Sequence, residues 1–137
     1  MVTPRPLTIT TRSGLTLHAN EWSHHNAPVC LLLHGFAHDG RAWDPLALAL
    51  CERYRVIAPD FRGHGDSCWD SSRSYCHKAL LDDLNTLIEQ LDLRSFHLVG
   101  HSMGARVAML YTATNGDKVN SLTIVDTGPT VGVKGAD

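Results

Sequence analysis

Residues 98–104 read Leu-Val-Gly-His-Ser-Met-Gly, and the segment continues as ARVAMLYTA to residue 113. The apolar run FHLV (96–99) leads into it, and small and apolar residues at helical spacing lead out. A serine between two glycines at a strand-to-helix junction sits on a turn so tight that only small residues fit beside it. Gly100 and Gly104 meet that need. Such a turn strains the serine backbone and lifts its hydroxyl above the C-terminal edge of the sheet. The next helix points its N-terminus at the same spot, which favours negative charge there. The bare G-x-S-x-G pattern is weak, because glycine and serine are common in loops. Its flanks make Ser102 a candidate nucleophile rather than part of a structural turn.

Outward from this turn the pattern alternates. Residues 29–33 (VCLLL) form a continuous apolar run of the kind found in parallel strands buried on both faces. Residues 42–53 (AWDPLALALCER) fit a helix, with Pro45 tolerable only in its first turn. A second short strand covers 55–58. The clearest helix is 78–91, where Leu80, Leu84, Leu87, Ile88 and Leu91 share one side and Asp82, Asp83, Asn85 and Glu89 take the other. A helix at 103–113 is stopped by Gly116, and SLTIV (121–125) gives a last core strand ending at Asp126. Near the N-terminus, 7–11 and 15–19 flank Arg12-Ser13-Gly14 as an antiparallel hairpin. The expected class is α/β: a mostly parallel sheet with an N-terminal antiparallel hairpin and helices on both faces. Residues 1–137 read as one domain without repeat or linker, and 127–137 as loop.

Acyl transfer creates an oxyanion, which two backbone N–H groups commonly bind. One should come from Met103, directly after the serine. The other should come from the loop after the first core strand, at Phe36. Taken alone, His34-Gly35 could equally just end a strand. Beside the elbow it reads as pocket-shaping, together with Gly100, His101 and Gly104.

Composition narrows the remaining classes. Twelve Lys and Arg against 14 Asp and Glu give a net charge of −2, so no basic field points to nucleic acid or an anionic membrane. No stretch approaches the roughly 18–20 apolar residues of a membrane span, and the N-terminus does not read as a secretory signal. Cys30, Cys51, Cys68 and Cys76 lack C-x-x-C spacing and read as reduced thiols of a cytoplasmic protein. The His24-His25 pair has no third ligand nearby and reads as surface loop, so neither metal nor cofactor is expected.

Several stretches together resemble the α/β-hydrolase fold family, in its serine esterase and C–C hydrolase-like branch. They are LLLHGF (31–36), RAWDPLALAL (41–50), YRVIAPDFRGHGDS (54–67), LVGHSMGARVA (98–108) and LTIVDTGP (122–129), in family order. The resemblance implies that Asp60–Ser67 is a loop shaping the site, so His64 and Asp66 are not catalytic. Relatives that open epoxides or displace halide carry aspartate at the elbow. Serine at 102 implies acyl chemistry on small-molecule esters, lactones, thioesters or activated C–C bonds, through an acyl-enzyme. A haloperoxidase-like side activity is compatible with that nucleophile.

The family order is Ser, then acid, then His, yet all nine histidines precede Ser102. The family position of the base is therefore empty in these 137 residues. Asp126, at the end of the next strand, is the candidate acid, against a plain strand-end loop residue. The family sheet has eight strands in the order 1-2-4-3-5-6-7-8, with a lid inserted after the sixth. The chain then reads as strands one to six of an incomplete α/β-hydrolase fold, without the lid and last two strands. Its sixth strand is expected to be an open apolar edge. Truncation of a longer hydrolase is the most economical expectation. A non-catalytic domain that self-associates through this edge, or half of a split enzyme awaiting a complementing C-terminal segment, are the alternatives.

Overall fold

The computed structural model describes residues 2–22 and 26–128. His24-His25 and residues 129–137 of the expected terminal loop lie outside the described residues.

The hairpin forms as expected, between β1 (Arg5–Thr10) and β2 (Thr16–Trp22), with Arg5 opposite Glu21 and Thr10 opposite Thr16. Thr11 closes the turn by donating its N–H to the Leu15 carbonyl and accepting the Leu15 N–H on its hydroxyl. Gly14 takes φ +87 there, a conformation that glycine adopts without steric cost.

Four further strands complete the sheet: β3 (Val29–Leu33), β4 (Arg55–Pro59), β5 (Phe96–His101) and β6 (Val119–Val125). The order is β1-β2-β4-β3-β5-β6, with β2 antiparallel to β4 and the β4-β3-β5-β6 pairs all parallel. The connecting helices are α1 (Asp44–Leu50), α2 (His77–Gln90) and α3 (Met103–Asn115).

The continuous apolar runs are explained by burial on both faces. Along β3, Leu31 and Leu33 join the core under α2 and α3, while Cys30 and Leu32 join a second core with Ala47 of α1. Along β4, Ile57 faces the first core and Val56 and Ala58 the second. Each fully buried Leu or Ile contributes roughly 1.5–3 kcal/mol.

Three local expectations need correction. The helix expected at 42–53 divides into a short 3-10 turn, Gly40–Trp43, and the seven-residue α1. Pro45 lies at the α1 start, where its missing N–H costs nothing, and the Asp39 side chain caps the preceding turn by accepting the Arg41 N–H at 2.9 Å. Asp83 is buried in α2 rather than on its polar side, because Arg62 meets it there. The last strand begins at Val119 and is not wholly apolar, since Asn120, Ser121 and Thr123 of this outermost strand are exposed.

Candidate active site

Ser102 joins β5 to α3 with φ +49 and ψ −110, outside the regions a non-glycine residue normally occupies. This is the strained turn that the sequence predicts. Its neighbours hold it from both sides. A Cβ on Gly100 would lie 2.5 Å from the Ala105 Cα, and one on Gly104 would strike the carbonyl oxygens of Leu33 and His34. Side chains at either position would push α3 off the sheet. The Ser102 N–H donates to the Val125 carbonyl at 3.1 Å, which ties the turn to the end of β6.

Met103 is the first residue of α3, so its N–H has no partner within the helix. Phe36 follows β3 in a turn closed by the His38 N–H on the Gly35 carbonyl, 3.1 Å. Both residues line one cavity of about 530 Å³, along with His38, His64, Trp69 and Tyr75. The structure thus brings the two expected oxyanion residues to one concavity beside the elbow.

The histidines separate by their bonds. His34 is completely buried. Its Nδ1–H donates to the Gly35 carbonyl at 2.8 Å, and its Nε2 accepts the Phe61 N–H at 3.0 Å. Both ring nitrogens are engaged, so the ring is neutral and cannot take a proton from Ser102 without breaking a bond. Burial foremost, with His64 nearby, pushes its pKa below the ordinary value, although the Gly35 bond and Asp60 act the other way. His64 donates its Nδ1–H to the Arg62 carbonyl and stands at the cavity wall. His18 donates to Asp60 and His97 meets Ser121.

His101 stacks on His38, ring centres 5.7 Å apart, and its Nε2 lies 3.7 Å from the Asp126 carboxylate. It also explains Gly35, because a Cβ there would fall 2.6 Å from His101 Nδ1. Asp126 takes φ +55 after β6, and its side chain is 86% exposed.

The Asp60–Ser67 loop is anchored through Asp60, which is buried. Its carboxylate accepts from the Gly40 N–H (2.7 Å), the His18 Nδ1–H (2.9 Å) and the Asp66 N–H (3.0 Å). His18, Asp60 and Asp66 bring potential metal-binding atoms within 4.8 Å of one another. The Asp60 carboxylate of that cluster is already engaged by those three hydrogen bonds.

Sequence reasoning missed Trp69 and Tyr75. The signal was available: two aromatics in the polar, aperiodic stretch CWDSSRSYC have no core role to play. Among the described residues no helix is long and apolar enough to cross a membrane.

Known proteins resemble this chain in sequence and fold. The sequence signature described as alpha/beta hydrolase fold matches residues 28–134. A non-heme chloroperoxidase, CPO-A1, of Kitasatospora aureofaciens is 37% identical over 129 residues, covering 91% of this chain and 45% of the relative. An sn-1-specific diacylglycerol lipase, ABHD11, of Mus musculus is 39% identical over 104 residues, covering 74% of this chain and 33% of the relative. The crystal structure of an alpha/beta hydrolase from Novosphingobium aromaticivorans superposes with a TM-score of 0.93 at 30% identity, covering 98% of this chain and 48% of that one. The chain therefore spans less than half the length of each of these three. With the elbow, the strand order and the matched residues in agreement, the chain belongs to the alpha/beta hydrolase fold family.

Proposed function

We propose that this chain carries the nucleophile of a serine hydrolase acting on carboxylic esters or related acyl substrates. The carrying observation is the strained backbone of Ser102 at the strand-to-helix turn, beside a cavity bordered by Met103 and Phe36. Strain at a single non-glycine residue costs about 1–3 kcal/mol and persists where function requires it. The diacylglycerol lipase among the relatives supports ester chemistry.

In the proposed reaction Ser102 Oγ attacks the substrate carbonyl carbon and its proton passes to a base. The negative oxygen is held by the Met103 and Phe36 N–H groups. The bond to the leaving alcohol then breaks, the alcohol takes up the proton, and water hydrolyses the acyl-enzyme. Asp126 is the proposed acid that orients the base; its exposed carboxylate is open to an approaching imidazole. Four of the histidines, His18, His34, His64 and His97, are bonded elsewhere. The base is proposed to lie outside the 137 residues, which by themselves would acylate slowly and turn over poorly. Cytoplasmic location is part of the same reading.

A fluorophosphonate probe in excess, with long incubation at pH 9 and imidazole added as an external base, tests the nucleophile. Labelling of the wild-type chain and its loss in Ser102→Ala is expected. Equal labelling of both would overturn the assignment.

A second reading rests on β6, one of the two edge strands among the described residues, with Asn120, Ser121, Thr123 and Val125 exposed. In it the chain binds a second copy, or a complementing segment, along this edge without catalysis. Light scattering decides for self-association: a dimer lost on substituting Thr123 by proline supports it, and a stable monomer removes it.

A further inference from the structure

Trp69 and Phe36 have the most exposed large apolar side chains among the described residues, at 79% and 75%, and both border the same cavity. Scattered exposed apolar residues are ordinary, but two aromatics facing one concavity mark a ligand site. Tyr75 and Met103 continue the wall, and Leu80 of α2 is buried behind it.

The loop that carries Trp69 is built to stay in place. Asp70 accepts the Ser72 N–H at 3.0 Å and the Ser74 N–H at 3.1 Å, and donates its own N–H to the Tyr75 hydroxyl at 2.8 Å. Arg62, itself buried, reaches the Asp70 carboxylate at 3.2 Å and the Ser74 carbonyl at 3.0 Å, while Asp83 holds its other edge. Gly63 permits the Tyr75 ring to lie close, since a Cβ there would come within 2.7 Å of it. A buried charge pair adds little stability over an apolar one. Its structural product here is a fixed aromatic wall on the cavity that Phe36 also lines.

The charges at the wall exclude some ligands. Among the described lining residues none is lysine or arginine, and Asp39 stands at the rim. A carboxylate in the cavity would find no lysine or arginine as a counter-charge, only the imidazoles of His38 and His64.

We infer that the cavity between Phe36 and Trp69 binds an uncharged apolar group, an aryl ring or a medium alkyl chain, carried by the ester that Ser102 attacks. The ester half of this inference rests on the nucleophile assignment above. Burial of a ring against Trp69 selects the ligand, and Trp69 is a specificity-determining residue rather than a catalytic one.

Saturation-transfer NMR on the full chain in a Ser102→Ala background tests binding free of turnover. The probes are ethyl benzoate, anionic monoethyl succinate and cationic acetylcholine. Ethyl benzoate is expected to bind preferentially. Trp69→Ala should weaken it about three- to tenfold, and Trp69→Phe should recover most of the loss. Far-UV circular dichroism should be unchanged in both, since Trp69 is exposed. Equal binding of all three probes, preferential binding of acetylcholine, or indifference to Trp69→Ala overturns the inference. Fluorophosphonate labelling separates the two claims. Trp69-dependent binding without Ser102 labelling removes the ester assignment and leaves the apolar site. Ser102 labelling with Trp69-independent binding removes this inference alone.

Discussion

One imidazole joins the two loops beside the Ser102 turn. His34, at the end of β3, accepts the Phe61 N–H at 3.0 Å on Nε2 and donates from Nδ1 to the Gly35 carbonyl at 2.8 Å. The Phe36 turn and the Asp60–Ser67 loop are therefore positioned by the same buried ring, and only its neutral Nδ1–H tautomer makes both bonds.

This fixes a pH dependence. Burial foremost holds the folded pKa of His34 below its ordinary 6.5. As pH falls, the unfolded chain takes up this proton first. The stability contributed by the neutral ring is complete above about pH 6.5 and is lost as pH falls from there through the folded pKa. The urea midpoint should drop between pH 7.5 and 5, and less so in His34→Ala. At pH 7.5 His34→Ala should cost about 2–4 kcal/mol through the lost bonds and the unpaired Phe61 N–H. Parallel pH profiles for the two proteins would count against the assignment.

Glu21 governs a lower window. Burial raises its carboxyl pKa, but Arg5 at 2.8 Å and Arg55 at 3.0 Å more than reverse this, leaving it below the ordinary 4.5. Its contribution is present above pH 4.5 and disappears as pH falls through the folded pKa. Glu21→Gln should lose about 1–3 kcal/mol at neutral pH and flatten the stability profile below 4.5. Urea titrations at pH 7 and pH 3.5 measure both effects.

Arg62 and Asp83 meet through two bonds of 2.6 Å in a buried setting. Arg62→Met leaves an unpaired carboxylate and should cost about 3–5 kcal/mol. Arg62→Met with Asp83→Leu should recover most of this. A double-mutant cycle by urea denaturation checks it, and simple additivity of the two losses would contradict the pairing.

The elbow predicts opposite effects two residues apart. Ser102→Gly relieves the φ of +49 and should stabilise the chain by roughly 1–2 kcal/mol while abolishing fluorophosphonate labelling. Gly100→Ala forces a methyl against the Ala105 backbone and should cost about 1–3 kcal/mol or more. Thermal melts of the two variants should move in opposite directions.

What could be read in advance follows from range. The apolar runs at 29–33 and 96–99, the Gly14 turn and the glycines around Ser102 are local signals, because a strand, a turn or an elbow constrains its own few residues. They sufficed for the fold class and for Ser102, Met103 and Phe36 as site candidates. Asp83 shows the limit. It lies three residues after Leu80 and four before Leu87, at the border of the apolar stripe, and its side was decided by a guanidinium 21 residues earlier. Periodicity carries no information about that partner. The bond of His34 to the Phe61 N–H, the stacking of His101 on His38 and the shared cavity of Phe36 and Trp69 are likewise meetings of distant segments. The sequence by itself determined which residue sits on the strained strand-to-helix turn. Only the tertiary structure decided which histidines are already committed and which aromatic side chains line the cavity with Met103, because hydrogen bonds and cavities arise between elements that chain order does not place side by side.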